Sequence, residues 1–458
     1  MENKGFRGIA LFLLAMGLMG GLLALSWQRF KQGEEHHAGL ARLLQGQANI
    51  LLRSYMFVEG SQTPAPAKAS DLLKSAADGF ADALKEQPGN LELRFATAVV
   101  QREAGEVLAA AKTLAGTSAS ERKGVKYFAL ASLAIDSSPD PTLLSAPGVM
   151  EFIERSPVRR LWLASVYART GQSQAADEQW QLAYREAAPY VIGMGAILGA
   201  WALASLVGIV SFFSLLGDRR VPVAPSGEAP TADPQPTSQT PDLAVAAIGF
   251  IIWLLLQIGL SAAFAMAFPP SRLPGATALM GTIASFLAAL AVIGWLRLRV
   301  PPVSLGWSSR PLGLKLRVAF AVFLLSPIMM GIVRLLQYYF NLEPREPSMM
   351  VVAEAQSIPM RVLVLVGASV LVPIGEETAF RGLLFRGLRA QWGVVAAMVI
   401  SSLAFSLGHL DLLAALPIFL FGLGLAWSVK RTGSLFPAVV AHGLFNLFPL
   451  LIVNLLTL

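Results

Sequence analysis

The sequence predicts an all-α protein: a multi-pass transmembrane bundle of about nine helices with an extracytoplasmic helical-repeat domain. Three observations lead there. At 458 residues, with 55% hydrophobic and only 14% charged side chains, the chain is too apolar for a soluble protein of its size. Its apolar residues gather into runs long enough to cross a bilayer. Its charge is sorted along the chain: residues 28–188 carry 18 basic and 18 acidic side chains, so the net charge of +7 lies outside that segment.

Taken in order, residues 6–27 form the first run, behind Lys4. The run is long and no clean Ala-x-Ala site closes it, so 1–27 reads as a retained signal anchor. Residues 28–188 are polar and helix-rich, and 189–217 holds the second run, 190–216. The segment 218–241 is rich in Pro, Ser and Thr and reads as a disordered linker. The remainder, 242–458, holds runs at 244–268, 275–296, 317–339, 361–380, 393–410, 412–429 and 436–457.

Alternate connections should be rich in Lys and Arg if these runs span a bilayer. Arg219 and Arg220, then Arg297, Arg299, Arg310 and Lys315, then Arg386 and Arg389, then Lys430 and Arg431 all fall on the side of Lys4 and Arg7. The opposite connections hold little beyond Arg272 and an Arg345 flanked by Glu343 and Glu346. That pattern places the N-terminus in the cytoplasm and residues 28–188 outside it, as expected for a protein of a bacterial inner membrane. Basic residues beside spanning helices serve orientation, so the surplus charge calls for no nucleic-acid partner.

Within 28–188 a 34-residue period emerges. Ala76, Phe80, Ala83, Leu84, Pro88 and Asn90 are followed in register by Ala98, Gly105 and Ala110. A further copy runs Ala164, Tyr167, Gly171, Ala176, Trp180 and Ala183. Small residues that admit close helix approach, with aromatics between them, predict tetratricopeptide-like helical pairs, a scaffold on which a protein partner would dock.

The chemistry lies in the last four runs. The chain has no cysteine, which removes thiolate nucleophiles and Cys-ligated metals. It has four histidines, of which His36 and His37 lie outside the apolar runs. His409 and His442 lie inside them, with Glu376 and Glu377, where ionisable groups are costly and default to a functional reading. Adjacent helical residues point about 100° apart, so the two glutamates are expected to have different jobs. Glu377 precedes Arg381 by four residues, the favourable order for an intrahelical ion pair, which leaves Glu376 as the general base. Pro373, just upstream, removes a helical hydrogen bond and is expected to open the helix to water. Phe405 shares a helix face with His409, and His442 with Asn446. Each taken singly also reads as a helix end or as interhelical packing.

Together these residues resemble the CAAX-protease and bacteriocin-processing (Abi) family of intramembrane endopeptidases. Its pattern, Glu-Glu-x-x-x-Arg, Phe-x-x-x-His and His-x-x-x-Asn, is met by Glu376, Glu377 and Arg381, by Phe405 and His409, and by His442 and Asn446. The resemblance covers roughly residues 244–458, under half the chain. It implies that Glu376 and His409 activate the water that attacks a peptide carbonyl, that His442 and Asn446 steady the oxyanion, and that Glu377, Arg381 and Phe405 support the site. The implied substrate is a protein or peptide at the lipid bilayer, and no cofactor is required.

Other chemistries fit the same residues less well. No His-Glu-x-x-His string occurs, and Asp218, Asp233, Asp242 and Asp411 all fall in loops or at helix ends. A Ser369–histidine dyad would leave both glutamates unexplained. Glu376, His409 and His442 also make up a ligand set for a divalent metal such as zinc, and it is the resemblance that favours the metal-free reading. The rival from another class is a non-catalytic scaffold or bacteriocin-immunity-type protein that uses the repeat domain for partner binding. A proton-coupled transporter is disfavoured because the membrane region has no internal repeat.

Overall fold

The computed structural model describes residues 8–14, 16–17, 37–60, 69–117, 125–217, 241–268, 276–299, 311–339, 357–409 and 414–456. The linker 218–240, Asp411 and most of the first run lie outside these residues. The described residues are helical, with no strand among them, and divide into two compact units, Glu34–Leu198 with Ile452–Leu458, and Met1–Gly33 with Gly199–Leu451.

The first unit is built from α1 (His37–Gly60), α2 (Ala69–Glu86), α3 (Leu91–Glu103), α4 (Val107–Ala115), α5 (Val125–Ile135), α6 (Val149–Arg155), α7 (Arg159–Arg169) and the start of α8 (Ser173–Gly217). Helices α3, α5 and α7 begin at Leu91, Val125 and Arg159, successive steps of 34 residues. Each is the first helix of a pair. Asn90 opens α3 by accepting the Leu93 N–H at 3.0 Å, as an N-cap should. The pairs α3–α4 and α7–α8 turn at Gly105 and Gly171, both at positive φ (86° and 77°), a conformation that favours residues without a Cβ. The core is aromatic: Phe95 stacks on Trp162 at 5.9 Å and meets Phe152 edge-on at 5.4 Å.

Helix α8 runs unbroken from Ser173 to Gly217 with Pro189 inside it. Between Gln172 and Gly193 the sequence offers no glycine at which the helix could end, and the apolar run simply takes over from the polar one.

The second unit contains α9 (Leu243–Ala267), α10 (Ala276–Arg299), α11 (Leu312–Phe323), α12 (Leu325–Tyr339), α13 (Ile358–Val366), α14 (Val372–Glu377), α15 (Phe385–Gly408), α16 (Ala415–Thr432) and α17 (Phe436–Leu456). Asp242 caps α9 through the Val245 N–H at 2.8 Å. Six helical stretches among the described residues are long and apolar enough to cross a membrane. One of them, Ile358–Gly408, contains two expected spans, divided at Gly393, whose φ of 78° and ψ of 176° are not helical. Helix α16 corresponds to a further span but ends on Lys430 and Arg431. The chain is a helical membrane protein. Its membrane core centres on Phe250, Trp253, Phe380, Phe405 and Phe421, all nearly inaccessible.

Candidate active site

The glutamate pair sits on a short α-helical step between two wider turns. Gly367–Leu371 and Thr378–Leu384 are π-helical, and only Val372–Glu377 between them is α-helical. Such wide turns are rare and concentrate at functional sites. Sequence spacing assumes a uniform helix, so it missed them. Two glycines set the step among its neighbours: a Cβ on Gly375 would lie 2.9 Å from the Ser285 carbonyl oxygen of α10, and one on Gly443 of α17 would lie 2.5 Å from the Ser369 carbonyl oxygen.

Glu377 is fully buried, as is Arg381, and the two form the expected pair at 3.0 Å. The pair extends further than spacing suggested. Glu377 Oε1 also accepts from His442 Nδ1 at 3.0 Å, so one carboxylate fixes both the guanidinium and the imidazole. Arg381 Nη2 donates to the Gly422 carbonyl at 3.3 Å, and its Cζ lies 4.1 Å from the Phe405 ring centroid, a cation–π contact that a bulky aromatic at 405 makes possible. Phe405 in turn meets His442 edge-on at 5.5 Å and His409 at 4.6 Å.

Glu376 points to the other side of His442. Its Oε2 lies 3.9 Å from His442 Nε2, too far for a hydrogen bond, and that buried oxygen has no hydrogen-bond partner. His409 places Nδ1 2.8 Å from the carbonyl of Phe405, one turn back on its own helix. That bond requires a proton on Nδ1. Asn446 Nδ2 donates to the carbonyl of Ala368 at 2.9 Å. The structure thus brings Glu376, Glu377, Arg381, Phe405 and His442 into one network, sets His409 against Phe405 at its margin, and ties Asn446 to the wide turn before the glutamates. Ser369 Oγ is buried without a hydrogen bond to either histidine. Among the described residues, no three His, Cys, Asp or Glu side chains are grouped so as to hold a metal ion.

Comparison with known proteins singles out the same stretch. Residues 358–448 match the Rce1-like family, described as type II CAAX prenyl endopeptidase Rce1-like. All seven residues of the constellation fall inside that match. The "Putative membrane peptidase YdiL" of Bacillus subtilis is 28% identical over 170 residues, 36% of this chain and 68% of that protein. An "Uncharacterized 24.3 kDa protein" of Escherichia coli is 34% identical over 104 residues, 22% of this chain and 48% of that protein. The chain therefore spans about half the length of the second relative. No solved structure matches it. The region similar to the Rce1-like family excludes the whole helical-pair unit.

Proposed function

We propose that this protein is an intramembrane endopeptidase that hydrolyses a peptide bond of a membrane-associated protein or peptide with water activated by Glu376. The observation that carries the reading is the unpartnered Glu376 Oε2, 3.9 Å from His442 Nε2. A water beside that pair could contact both atoms at about 2.8 Å. Glu376 takes the water's proton as the hydroxide oxygen bonds to the scissile carbonyl carbon, and later returns it to the departing amine nitrogen. With Nδ1 committed to Glu377, His442 presents Nε2 to the reacting atoms. His409, through Nε2, shares the proton of the attacking water, and Asn446 offers its second amide hydrogen to the oxyanion. The likeness to CAAX prenyl endopeptidases makes lipid-modified C-terminal peptides the first substrate class to test.

In the proposed setting, a bacterial inner membrane, the N-terminus is cytoplasmic and the tetratricopeptide-like unit, with helix starts 34 residues apart, stands outside and recruits partner or substrate proteins. The test compares membrane proteomes carrying wild-type protein with those carrying Glu376→Gln. Loss of a general base typically costs a factor of about 100 or more, so specific cleavage products should vanish while the variant's thermal unfolding stays unchanged. Cleavage within about threefold of wild type, well short of that factor, would overturn the assignment and favour a scaffold.

A further inference from the structure

The turn that carries the glutamates has a backbone problem of its own making. Val372 donates its N–H five residues back, to the Gly367 carbonyl. In that register the next donor, for the Ala368 carbonyl, is residue 373, and in the ordinary α register residue 373 would instead serve Ser369. Residue 373 is proline and has no N–H. Within a membrane, a carbonyl left without a donor is costly and has to be met by another element. Helix α17 donates to the first of these carbonyls and packs closely on the second. Asn446 Nδ2 donates to Ala368 O at 2.9 Å, and Gly443 brings its Cα so close to Ser369 O that a Cβ would stand 2.5 Å from that oxygen. Asn446 and Gly443 lie one turn apart, on the helix that also carries His442.

We propose that Pro373 is a positioning residue that acts through Asn446: by lacking an N–H it keeps the Ala368 carbonyl open, and that carbonyl aligns the Asn446 carboxamide and holds α17 against the glutamate turn. A carboxamide has two N–H bonds. One is held by Ala368, which turns the other in a fixed direction. The proline thereby serves less to admit water than to create an acceptor at a chosen place. The kinetic part of this inference rests on the protease reading above, whereas the anchoring part does not.

The test is a double-mutant cycle on the full chain in detergent, with wild type, Pro373→Ala, Asn446→Ala and the double variant. It is read by thermal unfolding and by kcat and KM on a quenched fluorescent peptide ending in a farnesylated Cys-a-a-X sequence. Residue 373 as alanine can donate to the Ala368 carbonyl, so Asn446→Ala should lower the unfolding midpoint clearly in the wild-type background and by less than half as much in the Pro373→Ala background. Equal falls in the two backgrounds, or no fall from Asn446→Ala in either, would overturn the anchoring. Pro373→Ala should lower kcat by about tenfold, less than complete loss of an oxyanion donor, with KM little changed and no further loss when Asn446 is already alanine. Multiplying effects would overturn the route through Asn446. Should Pro373→Ala fail to fold, Pro373→Ser restores the same N–H and takes its place. The stability cycle decides the anchoring whether or not the probe is cleaved, so failure of this inference is distinguishable from failure of the protease reading.

Discussion

Glu377 is the residue through which the guanidinium and the imidazole of the site are joined. Its Oε1 is shared by Arg381 and His442 at 3.0 Å each, and Glu377 and Arg381 have no solvent-accessible side-chain surface. Removing one member of such a pair leaves an uncompensated charge, which costs about 3–5 kcal/mol, whereas replacing both by apolar residues can be neutral. Arg381→Met should therefore unfold at a markedly lower temperature, and Glu377→Met combined with Arg381→Met should recover much of that loss. Activity should not recover, because His442 would have lost the acceptor on Nδ1 that sets its orientation. Calorimetry and a cleavage assay on wild type and these two variants check both halves; a double variant that regains cleavage would show that Glu377 serves folding alone. Sequence spacing foresaw the Glu377–Arg381 half of this network because four residues is one helical turn. It could not foresee the His442 half, since 65 residues separate the partners and only the packing of α17 against the glutamate turn joins them.

At the scale of elements, the apolar runs were legible because a bilayer demands long, nearly uncharged helices. The small and aromatic residues singled out within 28–188, such as Phe80 and Ala164, are buried among the helices of the first unit. What stayed hidden was local backbone form. The wide turns at Gly367–Leu371 and Thr378–Leu384 have no composition of their own, and of their causes only Pro373 was visible. Even there the expected consequence, an opened helix, names the freed carbonyls without saying that α17 covers them. The α-helical step fits closely against α10 at Gly375. Gly375→Ala would set a methyl group 2.8 Å from Ser285 Oγ and 2.9 Å from Ser285 O, and the oxygen on the backbone cannot swing aside. Overpacking of this kind costs about 1–3 kcal/mol. The step should be pushed off α10, lowering the unfolding midpoint and the cleavage rate together, and pairing it with Ser285→Gly should restore little because the carbonyl remains. Full recovery in the pair would mean that the hydroxyl, rather than the backbone, sets the spacing.

For the whole molecule, the decisive feature is that each unit has a hydrophobic core made from its own residues. Phe80, Phe95, Phe152 and Trp162 belong to one, and Phe250, Phe380, Phe405 and Phe421 to the other. Two cores give two cooperative events, and a titrating group in one of them marks which is which. Tyr55 of α1 lies edge-on to Trp180 at 6.0 Å, and burial, helped by the charges of Glu59 and Glu103, pushes its phenol up to about 12 from 10.0. Below pH 10 the phenol is neutral in both folded and unfolded chains and pH has no effect through it. Above pH 10 the unfolded chain releases this proton while the folded one keeps it, so the folded state loses ground steadily as the pH climbs to about 12. The loss falls on the unit that contains Tyr55. Unfolding followed between pH 9 and pH 11.5 (about the span over which the two states differ in bound protons) should show one transition moving to lower temperature, and Tyr55→Phe should flatten that movement without altering the other transition or peptide cleavage. A single transition that shifts as one, or an unchanged slope in Tyr55→Phe, would mean that the two cores melt together or that another group governs the alkaline limb.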